Sequence, residues 1–158
     1  MTKVPSTRRG SGDRGAALVE FGLVAPVLFL LIFGIIEFGW AFSQFLDVRH
    51  GAREAARLAA VNYKSAPTDA GSAQSQAIII ETCARLSNPD GARVTLTLQG
   101  STPADRAIGR PVTIEVTREL DTLTGFLDFA LKGRTLTSSA TTRLEQTATW
   151  NSYTDDCP

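Results

Sequence analysis

The chain has 158 residues, 43% of them hydrophobic, and its 16 basic and 16 acidic side chains give a formal charge of zero. This balance gives no electrostatic reason to expect a nucleic-acid partner. The single histidine cannot supply the clustered ligands of a metallohydrolase, and the sequence suggests no general base for either cysteine. We therefore expect that the protein is not an enzyme and that it has no catalytic residue, metal, cofactor or small-molecule substrate.

The first 15 residues read as a short basic leader. Most of its charges are cationic, and prolines and glycines interrupt any regular structure: Lys3, Pro5, Arg8, Arg9, Gly10, Gly12, Asp13 and Arg14. Basic residues beside a membrane helix favour the cytoplasmic side, which would place this end of the chain in the cytoplasm. Four basic residues also follow the apolar run, so charge alone leaves the orientation open.

A long apolar run follows the leader. Its 26 residues, Phe21–Leu46, contain one charged side chain, Glu37, and about 20 apolar residues suffice to cross a bilayer as a helix. The stretch Asp47–Val61 is rich in Ala and Arg and has no proline, so the helix should continue through it. The sequence predicts one helix over residues 16–61, on the order of 70 Å long, that spans the membrane over about residues 18–46.

Two carboxylates mark the borders of the apolar run. Glu20 lies at its cytoplasmic border and Glu37 near its outer border, about 25 Å further along the helix and about 100° around it. Ionisable groups within membrane segments are costly and usually have a partner. Glu37 is therefore either a carboxylate at the outer interface or a contact with another subunit or an assembly protein.

The helix beyond the membrane carries two stripes at i, i+4 spacing. An alanine stripe would let another backbone or a sheet pack closely against the helix. An arginine stripe is either a solvated face or a contact with acidic groups on a neighbour. The two sets are Ala52, Ala56 and Ala60, and Arg49, Arg53 and Arg57.

The remaining residues, 62–158, predict a small α+β head with a C-terminal tail. Apolar periodicity predicts a helix over about residues 70–87 and a short amphipathic helix over 123–130. Alternating side chains predict three strands, which would form an antiparallel sheet packed on the Ala-rich half of the long helix. These strands cover about residues 93–99, 112–117 and 134–144.

The two cysteines, Cys83 and Cys157, lie 74 positions apart. That spacing suits no metal motif, whereas one disulfide that ties the tail to the head is compatible with an oxidising compartment. A possible disulfide is therefore assigned to this pair.

Several motifs of this chain resemble one known family. The basic leader ends at Gly15 and is followed by AALVEF, and the motifs FGIIEFG at residues 33–39 and AREAAR at residues 52–57 continue the likeness. The segment LTSSATTRLE at residues 136–145 is similar to that family's closing strand. The chain resembles the TadE-like minor pilin (pseudopilin) family of the tight-adherence (Tad or Flp) pilus, including its TadF-type relatives.

This resemblance implies a type IV pilin-like fold and a structural function in pilus assembly and surface adherence. A prepilin peptidase would cut between Gly15 and Ala16, and Glu20 would then meet the new α-amino group of a neighbouring subunit. Phe21 and Glu37 are grouped with Glu20 as assembly contacts. The implied partners are other Tad pilins and minor pilins, the inner-membrane assembly platform and the lipid bilayer.

The implied location is the bacterial inner membrane, with a cytoplasmic N-terminus and the head in the periplasm. One alternative stays open: a single-pass anchor protein that is never processed and that carries an extracytoplasmic binding or scaffold domain. An ordinary secretory signal fits poorly because the apolar run is too long for its core. The residue at the mature N-terminus separates the pilin from the unprocessed anchor.

Overall fold

A computed structural model of the chain describes residues 12–158, in which one long helix continues into a small α+β head. Helix α1 spans Gly12–Ala60 and contains Pro26. It is long and apolar enough to cross a membrane. The helix begins at Gly12, before the expected start at Ala16, and the rest of the predicted leader, residues 1–11, lies outside the described residues.

The head consists of two further helices, one short 3₁₀ helix and four strands. Neighbouring strands are antiparallel, and their order across the sheet is β3-β2-β1-β4. The elements after α1 are α2 (Gly71–Cys83), β1 (Ala92–Leu98), the 3₁₀ helix (Pro103–Arg106), β2 (Pro111–Glu119), α3 (Asp128–Leu131), β3 (Thr135–Arg143) and β4 (Tyr153–Asp156).

The α+β fold is confirmed, but the predicted three-stranded sheet is wrong by one strand. The predicted C-terminal tail supplies β4, which pairs with residues 93–96 of β1. Only four residues form this strand, so its alternation is too short to distinguish it from an irregular tail. The tail is therefore part of the sheet.

The alanine stripe of α1 faces the sheet, as its spacing predicts. Ala52 and Ala56 of this stripe are buried, as are the adjacent Ala55 and Ala59. All four join strand side chains such as Leu96 and Ile114 in one core. Small side chains let the helix axis approach the sheet closely, so the second half of α1 is the central element of the head. The arginine stripe lies on the exposed side and makes no ion pair within residues 15–158.

The end of α1 is covered by the segment that leads to β4. The backbone N–H groups of Glu145 and Gln146 donate to the carbonyl of Ala60, and the indole N–H of the fully buried Trp150 donates to the carbonyl of Ala59 at 3.2 Å. Free carbonyls at a helix end need such partners when they are buried. The segment after β3 therefore caps the helix and closes one end of the core.

A disulfide joins Cys83, the last residue of α2, to Cys157, directly after β4. The two Cα atoms are 5.6 Å apart, and the backbone N–H of Cys157 also donates to Ala92. An ion pair between Arg93 and Asp156 lies on the same edge of the sheet, and the arginine holds the pKa of this aspartate below its usual range. These contacts tie β4 to both α2 and β1.

Candidate functional site

The predicted cleavage site lies in the first turns of α1. Gly15 and Ala16 are both exposed, and a Cβ placed on Gly15 would have no described atom within 4 Å other than those of its chain neighbours and its own helix backbone. The peptide bond between them is thus uncovered by the head. This bond lies within the helix, which the sequence did not predict, because the predicted helix begins at Ala16, after the end of the leader.

Glu20 and Phe21 lie one to two turns further along the same exposed part of α1. Phe21 is 63% exposed, and Glu20 is exposed and makes no hydrogen bond or ion pair within residues 15–158. No group of the head comes near this end of the helix. The carboxylate of Glu20 is therefore open to a group from outside the described chain.

Glu37 is in a different environment, although it lies on the same helix. It is 1% exposed, and its two carboxylate oxygens accept hydrogen bonds from the backbone N–H groups of Leu123 and Thr124, at 2.8 and 3.0 Å. The hydroxyl of Thr124 donates a third hydrogen bond at 2.6 Å. The carboxylate thus has its partners within the chain, and a neighbouring subunit is not needed to account for it.

Gln44, two turns after Glu37, holds the start of the same loop. Its side-chain amide donates to the carbonyl of Asp121 at 2.7 Å, and its carbonyl accepts the backbone N–H of Asp121 at 3.1 Å. The guanidinium of Arg118, 2% exposed, donates to the Asp121 carboxylate at 2.9 Å. We call residues 121–132, which these contacts fix against α1, the docked loop.

Sequence reasoning missed this docking and its partners Gln44, Asp121 and Thr124. One signal was present: Glu37 and Gln44 are seven residues apart, and seven residues return to nearly the same side of a helix. Val48 lies four residues after Gln44, and Ala55 lies seven residues after Val48; both are buried in the core. The head-facing stripe of α1 therefore begins at Glu37, with polar members before its apolar ones.

The docked loop also corrects the helix expected over residues 123–130. Only Asp128–Leu131 is helical. Gly125 has a φ of 72°, a conformation outside the right-handed helix, and the preceding N–H groups donate to Glu37 and not to a helix ladder. A local periodicity argument cannot include an acceptor that lies 86 residues away in the chain.

The predicted site residues thus separate into two places on α1. Gly15, Ala16, Glu20 and Phe21 lie together on the uncovered end, whereas Glu37 is about 25 Å away along the axis from Glu20 and is enclosed by the head. Among the residues that the structure describes, no group of three or more His, Cys, Asp or Glu side chains is placed to hold a metal ion.

The family model described as TadE-like protein matches residues 15–57, which covers the exposed end of α1, Glu37, Gln44 and most of the alanine stripe. This match confirms the resemblance to TadE-like proteins over the motifs at residues 15–57. Comparisons with curated proteins and with solved structures gave no match.

Proposed function

We propose that this chain, whose residues 15–57 match the TadE-like family model, is a minor pilin (pseudopilin) that helps to assemble the Tad pilus. In this proposal the chain is made as an inner-membrane precursor and is cut between Gly15 and Ala16 by a prepilin peptidase. The mature protein then supports pilus biogenesis and surface adherence together with other Tad pilins and the assembly platform.

The single observation that carries the proposal is the state of Glu20 within the family-matched segment. It is an exposed carboxylate at the border of an apolar helix, and nothing in residues 15–158 bonds to it. Cleavage before Ala16 would create an α-amino group within about one helical turn of this position on each subunit. A carboxylate near lipid gains most from a cationic partner, and an adjoining subunit would supply one.

The disulfide supports an extracytoplasmic position for the head. Disulfides persist in oxidising compartments such as the bacterial periplasm and are rare in the cytosol. The bond between Cys83 and Cys157 lies within the head, after the membrane-crossing candidate. A periplasmic head together with one crossing puts the basic end of the chain in the cytoplasm, which agrees with the charge bias of that end.

The first experiment determines the mature N-terminus. The protein is isolated from cells with and without the prepilin peptidase, and the first residue is identified by N-terminal sequencing. We expect Ala16 with the peptidase and Met1 without it. An intact Met1 in cells that carry the peptidase would overturn the processing step and favour the unprocessed anchor.

The second experiment tests the contact of Glu20. We expect Glu20→Ala to insert and be cleaved normally but to copurify poorly with the major pilin in fibres sheared from cells. Glu119→Ala removes an exposed carboxylate of the head and is the matched control, expected to incorporate like the wild type. Equal incorporation of both variants would show that Glu20 has no part in subunit contact.

A further inference from the structure

The docked loop carries exposed apolar side chains at a defined height along α1. Leu123, Phe126 and Phe129 are 54%, 44% and 87% exposed. The ring of Phe126 lies beside that of Phe33, with centroids 5.9 Å apart, and Phe33 precedes Glu37 by about one turn. The loop therefore extends along the helix past Glu37 and alongside the middle of the apolar run.

The height of the loop coincides with the outer border of the bilayer. A hydrocarbon core is about 30 Å thick, which corresponds to about 20 residues of an upright helix. If the inner border lies between Ala16 and Glu20, the outer border of an upright helix falls between Ile36 and Trp40, which is earlier than the end near residue 46 that the apolar run predicts. Glu37 lies within this interval, and Phe33 lies on its lipid side.

The backbone of the loop is suited to a poorly hydrated environment, in which each free N–H is costly. Most of its N–H groups donate within the chain: those of Leu123 and Thr124 to Glu37, that of Phe126 to the Thr124 hydroxyl, and those of Asp128, Ala130, Leu131 and Lys132 to carbonyls of the loop itself. The loop thus presents apolar side chains with few unsatisfied donors.

The loop also ends in cations. Lys132 is its last residue, Arg134 lies two residues beyond its end, and both side chains are exposed. Basic side chains next to apolar ones are typical of elements that lie in the interface of a membrane, where they reach anionic headgroups. The loop holds two acids, and both have partners within the chain: Asp121 is paired with Arg118, and the carboxylate of Asp128 accepts the hydroxyl of Thr122.

We propose that the docked loop, residues 121–132, is a membrane-interface element that inserts Leu123, Phe126 and Phe129 into the outer leaflet beside α1. These side chains adjoin the exposed apolar surface of the helix through the contact of Phe126 with Phe33. The head then rests on the bilayer at two places, the helix and the loop, and Glu37 joins them. This proposal rests on membrane attachment alone and not on a function in pili.

The test places a nitroxide on the loop of the full chain in lipid nanodiscs. Both native cysteines are in the disulfide, so Phe129→Cys supplies a single thiol for labelling. Ile108→Cys is the matched control, because Ile108 is 67% exposed and precedes the opposite end of β2. Collision rates with oxygen, which concentrates in lipid, and with a water-soluble nickel chelate are measured at both positions.

We expect the label at position 129 to shift toward oxygen and away from nickel, and the label at position 108 to show the reverse. Equal nickel access at both positions would overturn the proposal. Strong dipolar broadening at position 129 in discs that hold two copies, with nickel access retained in discs that hold one, would also overturn it, because the loop would then contact a second copy. No pilus protein is present, so the outcome is independent of the proposed pilin function.

Discussion

Replacement of Glu37 by glutamine tests whether this residue fixes the docked loop to α1. Glutamine keeps one oxygen acceptor at nearly the same place, but its amide group cannot accept the second backbone N–H. One of the two backbone N–H groups, that of Leu123 or that of Thr124, then has no acceptor. The other donates to a neutral amide oxygen in place of a charged carboxylate oxygen. Glu20→Gln is the control, since it removes a charge from the same helix without any contact to the head.

Hydrogen exchange measures this effect directly. Loss of a hydrogen bond to a charged group raises the equilibrium constant for local opening by about 10- to 100-fold. The amides of Leu123 and Thr124 should therefore exchange about 10- to 100-fold faster in Glu37→Gln than in the wild type, whereas amides of β1 and β2 should change little. Exchange in Glu20→Gln should match the wild type. Unchanged protection of the loop in Glu37→Gln would refute the docking.

Three further predictions concern the stability and electrostatics of the head. Cys157→Ser should lower the free energy of unfolding by about 4 kcal/mol, because it opens a closed loop with a sequence separation of 74 residues, and denaturant unfolding followed by tryptophan emission would measure the loss. Gly51→Ala should cost about 1–3 kcal/mol because its Cβ would collide with a δ-methyl of Leu86, a buried core side chain that would have to move, while Gly39→Ala on the same helix meets open space and should cost nothing; equal melting temperatures would contradict this difference. Arg93→Gln should raise the pKa of Asp156 toward the ordinary carboxyl range, as followed by carboxyl ¹³C shifts. Because the pKa of Asp156 is lowered in the folded state, the ion pair adds to the free energy of unfolding at pH values above the ordinary carboxyl pKa. This contribution is lost as the pH falls through the folded-state pKa.

The elements that the sequence predicts well are those whose cause is local. The apolar run and the Ala-rich continuation favour one long helix wherever they occur, and the alternation in residues 93–99 and 112–117 is typical of half-buried strands. The observed α1, β1 and β2 agree with these patterns to within a few residues at each end.

The elements that sequence reasoning missed depend on distant parts of the chain. Strand β4 is four residues long and exists because β1 offers a free edge beside it. The docked loop needs acceptors on α1 that are more than 70 residues away, at Glu37 and Gln44. Taken separately, the two segments are an acid in an apolar helix and an irregular loop. Neither sequence pattern predicts the contact between Glu37 and the docked loop.

The continuity of α1 determines how motion passes through the molecule. The same helix that fits a bilayer at one end provides the central packing surface of the head at the other, and Glu37, Gln44 and the buried alanines attach the head along more than 20 residues of it. No flexible linker separates the two parts within residues 12–60. A change in the tilt of the helix, or a force that draws it out of the lipid, would therefore rotate or displace the head together with the helix.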